Sequence, residues 1–367
     1  MKVRAAVIET PGAPLAVEEL ELCDPGPNQV RVRMRAVAIC RSDLHVAETG
    51  EGLRFPAVLG HEGAGVVDAA GEGTGIAVGT PVVLSWTPRC GRCPRCIEGR
   101  PQLCQQLSTS PPGGCLSRGS TIMGAYMGLG CLAEAVVVPE ACAVPVPAHA
   151  DLAPLCLLGC GVTTGFGAAV HAGGVSAGDT VALFGCGAVG LSAVQGARIA
   201  GARRIFAVDP IAGRRDLAAV LGATDLVDPA AVDAYGEILA RSDGGVDVAL
   251  EATGDPDVMT RLLDVVHPGG TGIIVGLPAF AATMALSPFH FLMEKRLTGS
   301  IYGSTDPWRE FPMLADLHAR GRLRLDELTG TRFGLDDADH AMAELTEHRS
   351  PRPLVMFEDR PSSPSTR

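Results

Sequence analysis

The sequence predicts an α/β protein with two domains: an irregular β-rich domain and a doubly wound parallel sheet with helices on both faces. The length of 367 residues is long for one hydrophobic core and suits two. From Met1 to about Pro154, short stretches of alternating apolar and polar residues predict short strands. From about residue 160, apolar strand patterns alternate with helical patterns, and this order is typical of a parallel sheet covered on both faces.

Short strands account for the first part of the chain. The segment QVRVRMRAVAI (29–39) alternates apolar residues with Arg, as a half-buried strand does. We expect further strands, separated by glycine, at 64–71, 80–86 and 131–138. Prolines at positions 139, 145, 147 and 154 indicate a boundary region.

A strand–helix–strand unit opens the second part. TVALFG (180–185) has the pattern of a buried strand, 188–202 that of a helix, and 203–209 that of a second strand. Strands are also expected at 246–253 and 271–277, with helices between them. After about Ile301 the pattern predicts amphipathic helices at 308–321 and 335–348, a strand at 353–358 and a disordered tail at 359–367.

Four cysteines lie close together in CGRCPRCIEGRPQLC. No helix or strand period brings them to one face, whereas short turns with two-residue separations aim thiolates at a tetrahedral metal. Four thiolates leave no open position, which favours structural zinc over a catalytic metal. The alternatives are two disulfides or unconnected thiols. The predicted ligands are Cys90, Cys93, Cys96 and Cys104.

A glycine-rich motif follows the strand at 180–185. GCGAVG supplies Gly185, Gly187 and Gly190 in the order G-x-G-x-x-G, and a helix follows, whose N-terminus can bind phosphates. Asp209 ends the next strand, where an acid can meet the ribose hydroxyls of NAD and repel the 2′-phosphate of NADP. Arg214 lies near enough in the sequence to contact the ribose, and the neighbouring Arg203, Arg204 and Arg215 are alternatives. A plain glycine-rich turn with an exposed Asp is the alternative.

Charge and cysteine content restrict the possible partners. The net charge of -11 argues against nucleic acid, because phosphate contacts need a basic surface. No apolar run approaches the length of a membrane span. Twelve Cys without a signal peptide predict a reducing, cytoplasmic compartment. The cysteines outside the metal sites are expected to act as small apolar residues; they are Cys23, Cys115, Cys131, Cys142, Cys156 and Cys186.

Further metal-type residues stand in CRSDLH (40–45), GHEGAG (60–65) and LLGCGVTTG (157–165). Three protein ligands and an open fourth position suit a catalytic zinc, but spacing alone cannot bring these segments together. In order, these motifs, the four-cysteine segment, GCGAVG and Asp209 resemble a zinc-dependent alcohol dehydrogenase of the medium-chain dehydrogenase/reductase superfamily. The resemblance extends to about Glu358 and is greatest to an actinobacterial branch that includes mycothiol-dependent formaldehyde dehydrogenases and aryl or terpenoid alcohol dehydrogenases.

The resemblance implies a GroES-like catalytic domain (1–161 and 302–358) with a structural-zinc lobe (90–104), and a Rossmann NAD-binding domain (162–301). It implies a second zinc on Cys40, His61 and Cys160, so that each chain holds two, and an active site in the cleft between the domains. Relatives are mostly homodimers or homotetramers.

The resemblance also assigns individual roles. Asp43 orients the histidine ligand, and Glu62 lies close behind the metal. Ser42 takes the proton of the alcohol and His45 passes it to solvent, while hydride moves to the nicotinamide. The remaining matches are Arg41 and Arg352 as cofactor contacts, with surface charge as the alternative, and Trp86 as a wall of the substrate pocket, with plain core as the alternative.

The implied activity is reversible oxidation of a primary alcohol, aromatic or allylic among the candidates, by NAD. A thiol-adduct (mycothiol-type) formaldehyde dehydrogenase ranks second, because CRSDLH keeps Arg41 and His45 as ordinary alcohol dehydrogenases do. A zinc-less reductase of the superfamily would lack the second ligand set. A non-enzymatic zinc protein that binds nucleic acid disagrees with the acidic charge and the complete nucleotide motif.

Overall fold

The structure is a computed structural model, and it describes residues 1–106, 115–347 and 351–358. The predicted disordered tail, 359–367, lies outside these residues. The first part of the chain consists of short strands, as predicted: β1 (Lys2–Ile8), β2 (Ala16–Leu22), β3 (Gln29–Ala38), β4 (Ala57–Val58), β5 (Glu62–Ala70), β6 (Pro81–Leu84), β7 (Leu116–Arg118), β8 (Thr121–Ile122), β9 (Gly124–Ala125), β10 (Ala135–Pro139) and β11 (Ala143–Pro145).

These strands form two mainly antiparallel sheets. One has the order β8-β7-β2-β1-β4-β9, and the other is centred on β3, which pairs with both β5 and β10. Along β3 the apolar side chains Val30, Val32 and Met34 are buried, whereas Arg31 and Arg33 reach Asp68 of β5 at 2.7 and 2.9 Å. The half-buried strand predicted from the alternation of apolar residues and Arg is thereby confirmed.

Among the described residues up to 167, four short α-helices accompany these sheets and carry or adjoin the predicted ligands. They are α1 (Arg41–Thr49), α2 (Pro94–Ile97), α3 (Leu152–Leu155) and α4 (Gly161–Gly167). A π-helical turn, Ala168–Ala172, extends α4.

The second part of the chain is the predicted parallel sheet. Its strands are β12 (Thr180–Phe184), β13 (Arg204–Val208), β14 (Asp225–Val227), β15 (Val246–Glu251), β16 (Val266–Ile274) and β17 (Arg296–Gly299). The helices between them are α5 (Ala188–Ala200), α6 (Ala212–Leu221), α7 (Ala234–Arg241), α8 (Pro256–Arg261) and α9 (Phe289–Leu292).

The strand order β14-β13-β12-β15-β16-β17 reverses direction at β12. In open parallel sheets of this order, nucleotides bind beyond the carboxyl ends of the strands at that reversal. The glycine motif follows β12 directly, so the fold brings it to this position.

The last part of the chain returns to the first. Its elements are α10 (Pro307–Ala319), β18 (Arg332–Gly334), α11 (Ala338–Thr346) and β19 (Leu354–Met356). β19 pairs with β3 and β18, so residues after the parallel sheet complete the sheet centred on β3. A catalytic domain made of two chain segments, 1–161 and 302–358, requires such pairing between its segments. The boundaries of these segments stay predictions. One core runs across both regions and includes Ala38, Val83, Phe166 and Leu183.

One expectation about the cysteines is wrong. Cys23 and Cys115 do not act as separate apolar residues but form a disulfide, with their Cα atoms 5.4 Å apart. They meet because β2 pairs with β7, and the Cys23 N–H donates to the Cys115 carbonyl at 3.1 Å. Their separation of 92 positions in the sequence concealed this pairing.

Within the described part of the chain, no single helix has both the length and the apolar character to cross a membrane. A bent pair of helical segments, Leu152–Gly159 and Gly161–Ala172, meets those two criteria jointly.

Candidate active site and metal centres

The four-cysteine segment folds around a common point. The sulfurs of Cys90, Cys93, Cys96 and Cys104 all lie within 4.8 Å of one another, and none of the four is disulfide-bonded. Cys93 directly precedes α2, whose first residue is Pro94. The Cys93 N–H donates to the Cys90 sulfur at 3.3 Å. The N–H groups of Gln105 and Cys96 lower the pKa of Cys93 to about 6, which favours the thiolate that a metal requires. The donor set therefore fits a closed, structural zinc site.

A second group of ligand atoms comes from three distant segments. Cys40 precedes α1, His61 precedes β5, and Cys160 stands between a 3-10 turn and α4. Together with Glu62, their ligand atoms lie within 4.8 Å of one another. His61 and Cys40 are buried and Cys160 is half-buried. Two thiols and an imidazole fit a zinc ion that keeps a position open.

Asp43 holds two of these ligand residues, Cys40 and His61, in place through hydrogen bonds. Its fully buried carboxylate accepts hydrogen bonds from the Gly60 N–H at 3.0 Å, the Cys40 N–H at 3.0 Å and His61 Nδ1 at 3.1 Å. Because Nδ1 of His61 donates to Asp43, Nε2 is left to face the cluster as a ligand. Burial alone would lower the pKa of His61, but Asp43 and Cys40 raise it.

Glu62 and Arg352 form a buried ion pair beside the same cluster. Arg352 Nη2 lies 3.2 Å from Glu62 Oε1 and 3.4 Å from the Cys40 sulfur, and Glu62 Oε1 also accepts from the Gly161 N–H at 3.0 Å. Burial raises the pKa of Glu62 to about 8, although Arg352 opposes the shift. The guanidinium thus faces the metal cluster, and its predicted contact with a cofactor stays a prediction.

The pKa values of the Cys40 and Cys160 thiols are shifted in opposite directions. A hydrogen bond from Cys160, together with Arg352 and His61, holds the pKa of Cys40 well below its usual range. The reciprocal hydrogen bond and burial raise the pKa of Cys160.

Ser42 and Tyr126 border the metal cluster. The Ser42 hydroxyl lies 3.3 Å from the Cys40 sulfur and 3.4 Å from His61 Nε2. The ring of Tyr126 stands edge-on to His61, with the centroids 5.3 Å apart. Sequence reasoning missed Tyr126, because its glycine-rich surroundings carry no periodic signal. His45 lies one turn beyond Ser42 on α1 and is 39% exposed, with Nε2 3.2 Å from Glu51 Oε2.

Trp86 follows β6 and contacts Tyr302, with the ring centroids 4.4 Å apart and the ring planes tilted by 47°. The Tyr302 hydroxyl donates to the Gly159 carbonyl at 2.6 Å, next to the ligand Cys160. The indole N–H of Trp86 is buried and has no hydrogen-bond partner among the described residues. Trp86 therefore lies near the metal cluster, and its role as a pocket wall stays a prediction.

The glycine turn has the shape that a pyrophosphate needs. Gly185 has φ +93°, and a Cβ on Gly190 would lie 1.9 Å from the Gly185 carbonyl oxygen, so neither position accepts another residue without a shift. A Cβ on Gly187 would meet open space, where a phosphate can approach the backbone. The turn therefore fits a dinucleotide.

Asp209 supports this turn from the next strand. Its carboxylate accepts from the N–H groups of Cys186 and Ile211 at 2.8 Å each. Arg214 Nη1 lies 3.7 Å from the same carboxylate. Arg41 is exposed at the start of α1, and its contact with a cofactor stays a prediction.

Two protein families match the two parts of the chain. Residues 26–148 match the alcohol dehydrogenase GroES-like domain, and residues 188–320 match the zinc-binding dehydrogenase family. An NDMA-dependent alcohol dehydrogenase of Amycolatopsis methanolica is 37% identical over 97% of this chain and 99% of its own length. The chain belongs to the zinc-dependent medium-chain alcohol dehydrogenases.

Two further members of this alcohol dehydrogenase family are similar over nearly their full length. One is named a probable S-(hydroxymethyl)glutathione dehydrogenase of Schizosaccharomyces pombe, 35% identical over 96% of each chain. The other is the solved structure of benzyl alcohol dehydrogenase from Acinetobacter calcoaceticus, with a TM-score of 0.91 and 30% identity over 98% of this chain and 100% of that one. The predicted family and its two-domain α/β fold are confirmed.

The structure of this alcohol dehydrogenase brings most predicted site residues into two groups. Around the second metal cluster lie Cys40, Ser42, Asp43, His61, Glu62, Cys160 and Arg352. Around the nucleotide turn lie Gly185, Gly187, Gly190, Asp209 and Arg214. Their roles in catalysis and binding stay predictions.

Proposed function

We propose that this alcohol dehydrogenase catalyses reversible hydride transfer between NAD and a primary alcohol, with aromatic and allylic alcohols as the preferred class. The observation that carries the proposal is the convergence of Cys40, His61 and Cys160 on one point, with the Ser42 hydroxyl beside them. The test is NADH formation, followed by absorbance, with benzyl, allyl and simple primary alcohols. Turnover of none of them by the zinc-loaded protein contradicts the proposal.

Cys40, His61 and Cys160 would hold a zinc ion that, when bound, acts as a Lewis acid toward the alcohol oxygen. The four-cysteine lobe would hold a second, structural zinc. We therefore expect two zinc per chain by elemental analysis, and one in Cys160→Ala. One or none in the unchanged protein contradicts the proposal.

Ser42 would take up the proton of the alcohol, since its hydroxyl is the polar group next to the ligand atoms of Cys40 and His61. His45 lies on the same face of α1 and is 39% exposed, so it would pass the proton on to solvent. Removing the hydroxyl in Ser42→Ala should lower kcat by about 100-fold or more while leaving the Kd for NAD unchanged. Ser42→Thr keeps the hydroxyl and is the matched control; full activity of Ser42→Ala contradicts the relay.

NAD is preferred over NADP in this proposal, because the Asp209 carboxylate stands beside the glycine turn and would repel a 2′-phosphate. In Asp209→Gly we expect the ratio of kcat/KM values for NADP and NAD to rise. An unchanged ratio would count against the assignment.

A second candidate is a thiol-adduct formaldehyde dehydrogenase. It is favoured by the 35% identity to a relative named for S-(hydroxymethyl)glutathione. The two candidates separate in one assay, in which formaldehyde is supplied with and without glutathione or mycothiol beside the alcohol panel. Turnover that needs the thiol and exceeds that with benzyl alcohol would select the second candidate.

The partner in solution would be a second copy of this chain. β17 is an edge strand of the parallel sheet, and exposed apolar residues precede and follow it in the chain. They are Leu277, Phe280, Met284, Phe289, Phe291, Leu292, Met293 and Ile301, with Phe280 97% exposed. Unpaired strand edges and large apolar patches favour association. Light scattering should give at least a dimer, and Leu292→Glu should shift it toward monomer; a monomeric unchanged protein contradicts this part of the proposal.

We also infer a cytoplasmic location, because ten cysteines are free thiols, which a reducing compartment preserves. The Cys23–Cys115 disulfide is the exception to that pattern. Fractionation of cells that make the protein tests the location, and recovery outside the cytoplasm contradicts it.

A further inference from the structure

Glu251 is a buried carboxylate to which neither the sequence patterns nor the metal clusters assign a role. It ends β15 and is the register partner of Phe184, the residue directly before the glycine turn. β12 and β15 are neighbours at the point where the strand order reverses. Glu251 therefore lies directly beside the turn that would bind the cofactor pyrophosphate.

The Glu251 carboxylate organises the loop that follows β15. Its Oε1 accepts from the N–H and the hydroxyl of Thr253 at 2.5 Å each and from the Gly254 N–H at 2.6 Å. Its Oε2 is buried and has no hydrogen-bond partner among the described residues. No cation forms an ion pair with Glu251 in the described part of the chain, so these three donors are what stabilises its charge. Hydrogen bonds to a charged acceptor are roughly twice as strong as neutral ones.

The loop held by Glu251 packs against the glycine turn. The Ala252 N–H donates to the Phe184 carbonyl at 2.8 Å. A Cβ built on Gly185 would lie 2.8 Å from the Thr253 methyl carbon and 3.1 Å from the Ala252 carbonyl carbon. The loop thus limits where the first glycine of the turn can move.

The same residue fixes the adjacent strand end. The Glu251 backbone carbonyl accepts from Val275 and Gly276 at 2.9 and 3.1 Å. A Cβ on Gly276 would lie 2.9 Å from Glu251 Oε1 and 2.2 Å from the Gly254 nitrogen, so this approach needs glycine. The ends of β12, β15 and β16 therefore meet around one carboxylate.

We propose that Glu251 is a positioning residue for the nicotinamide dinucleotide: it holds residues 252–254 against Gly185, so that the glycine turn keeps the geometry that binds pyrophosphate. The inference rests on the proposed NAD-dependent function. It requires no contact between Glu251 and the cofactor.

The test is the Kd of NADH, measured by fluorescence titration of the zinc-loaded protein, in Glu251→Gln. Glutamine can still accept through its carbonyl oxygen, but it loses the charge and brings amide donors to the buried position where Oε2 has no partner. We expect the Kd of NADH to rise about tenfold, with the KM for benzyl alcohol within about twofold and the zinc content unchanged.

Asp247→Asn is the matched control. Asp247 lies on the same strand but at its other end, where it accepts from the Thr180 N–H at 2.7 Å and His267 at 2.8 Å. It should lower the melting temperature and leave the Kd of NADH unchanged. An equal rise of this Kd in both variants, or no rise in Glu251→Gln, overturns the inference.

Thr253→Val covers the case in which Glu251→Gln does not fold. It removes one donor to Glu251 Oε1 and keeps the carboxylate and the side-chain volume. A rise of about threefold in the Kd of NADH supports the inference, and an unchanged Kd overturns it. Absence of NADH binding by the unchanged protein would refute the proposed function itself, and with it the inference.

Discussion

Replacing Asp43 by Asn should weaken zinc binding at the cluster of Cys40, His61 and Cys160 while preserving the shape of the cluster. Three donors converge on the two oxygens of this buried carboxylate: the N–H groups of Cys40 and Gly60 and Nδ1 of His61. Asparagine has one acceptor oxygen, and its amide group donates. In either orientation the amide therefore faces a donor, and at least one of these hydrogen bonds is lost.

The magnitude follows from that loss. A hydrogen bond to a charged group contributes about 1.5–3 kcal/mol, and about 1.4 kcal/mol corresponds to a tenfold change in affinity. Among these hydrogen bonds, the one to His61 Nδ1 holds the ring so that Nε2 faces the other ligand atoms of the cluster. We therefore expect zinc affinity at Cys40, His61 and Cys160 to fall by about 10- to 100-fold, the range typical of groups that support metal ligands.

The assay is competition with a chromophoric chelator, followed as zinc release per chain. The lobe of Cys90, Cys93, Cys96 and Cys104 serves as an internal control, because its sulfurs form a separate cluster from the ligand atoms that Asp43 supports. Asp68→Asn is the matched variant, since it removes the same charge from a carboxylate paired with Arg31 and Arg33. Zinc release from Asp43→Asn at the rate of the unchanged protein, or simultaneous loss of both ions, would refute the reasoning.

Three further predictions follow from the described contacts. Cys93→Ser should lose one zinc of two and lower the melting temperature but keep the catalytic ion, as read by elemental analysis; loss of both ions would contradict this separation. The hydrogen bond to Glu310 raises the pKa of His171 above 6.5. The pair should therefore stabilise the fold fully below about pH 6.5 and less as pH rises through the raised pKa. In urea unfolding, Glu310→Gln should remove a few tenths to about 1 kcal/mol at pH 6, and a smaller loss at pH 6 than at pH 9 would contradict the sign. The double variant Cys23→Ser, Cys115→Ser should lose about 2–4 kcal/mol of unfolding free energy under oxidising conditions, and an unchanged value would show that the disulfide contributes nothing.

Much of the fold could be predicted because its signals are local. The alternation along 29–39 predicted β3, and the segments 180–185, 188–202 and 203–209 correspond to β12, α5 and β13. The glycine motif needed no distant partner either, because its turn, strand and helix are adjacent in the chain. The four-cysteine lobe is local in the same sense, since short turns alone bring its sulfurs together.

The metal cluster of Cys40, His61 and Cys160 required more than spacing. Nothing in the sequence between these residues sets their distance, and only the resemblance to a family suggested that they meet. Tertiary hydrogen bonds decide it: Asp43 of α1 accepts from His61, and Glu62 of β5 accepts from Gly161 at the start of α4. The same holds for the edge-on contact between Tyr126 and His61.

By itself, the sequence determined the class of fold, the nucleotide turn, the four-cysteine lobe and the family. Tertiary structure decided that Arg352 faces Glu62 and Cys40, that Cys23 pairs with Cys115, and that Glu251 stands beside the glycine turn. The physical reason is the distance along the chain between the residues that interact. Turn geometry and hydrophobic period act over a few residues, whereas buried ion pairs, disulfides and shared carboxylates depend on which strands and helices become neighbours.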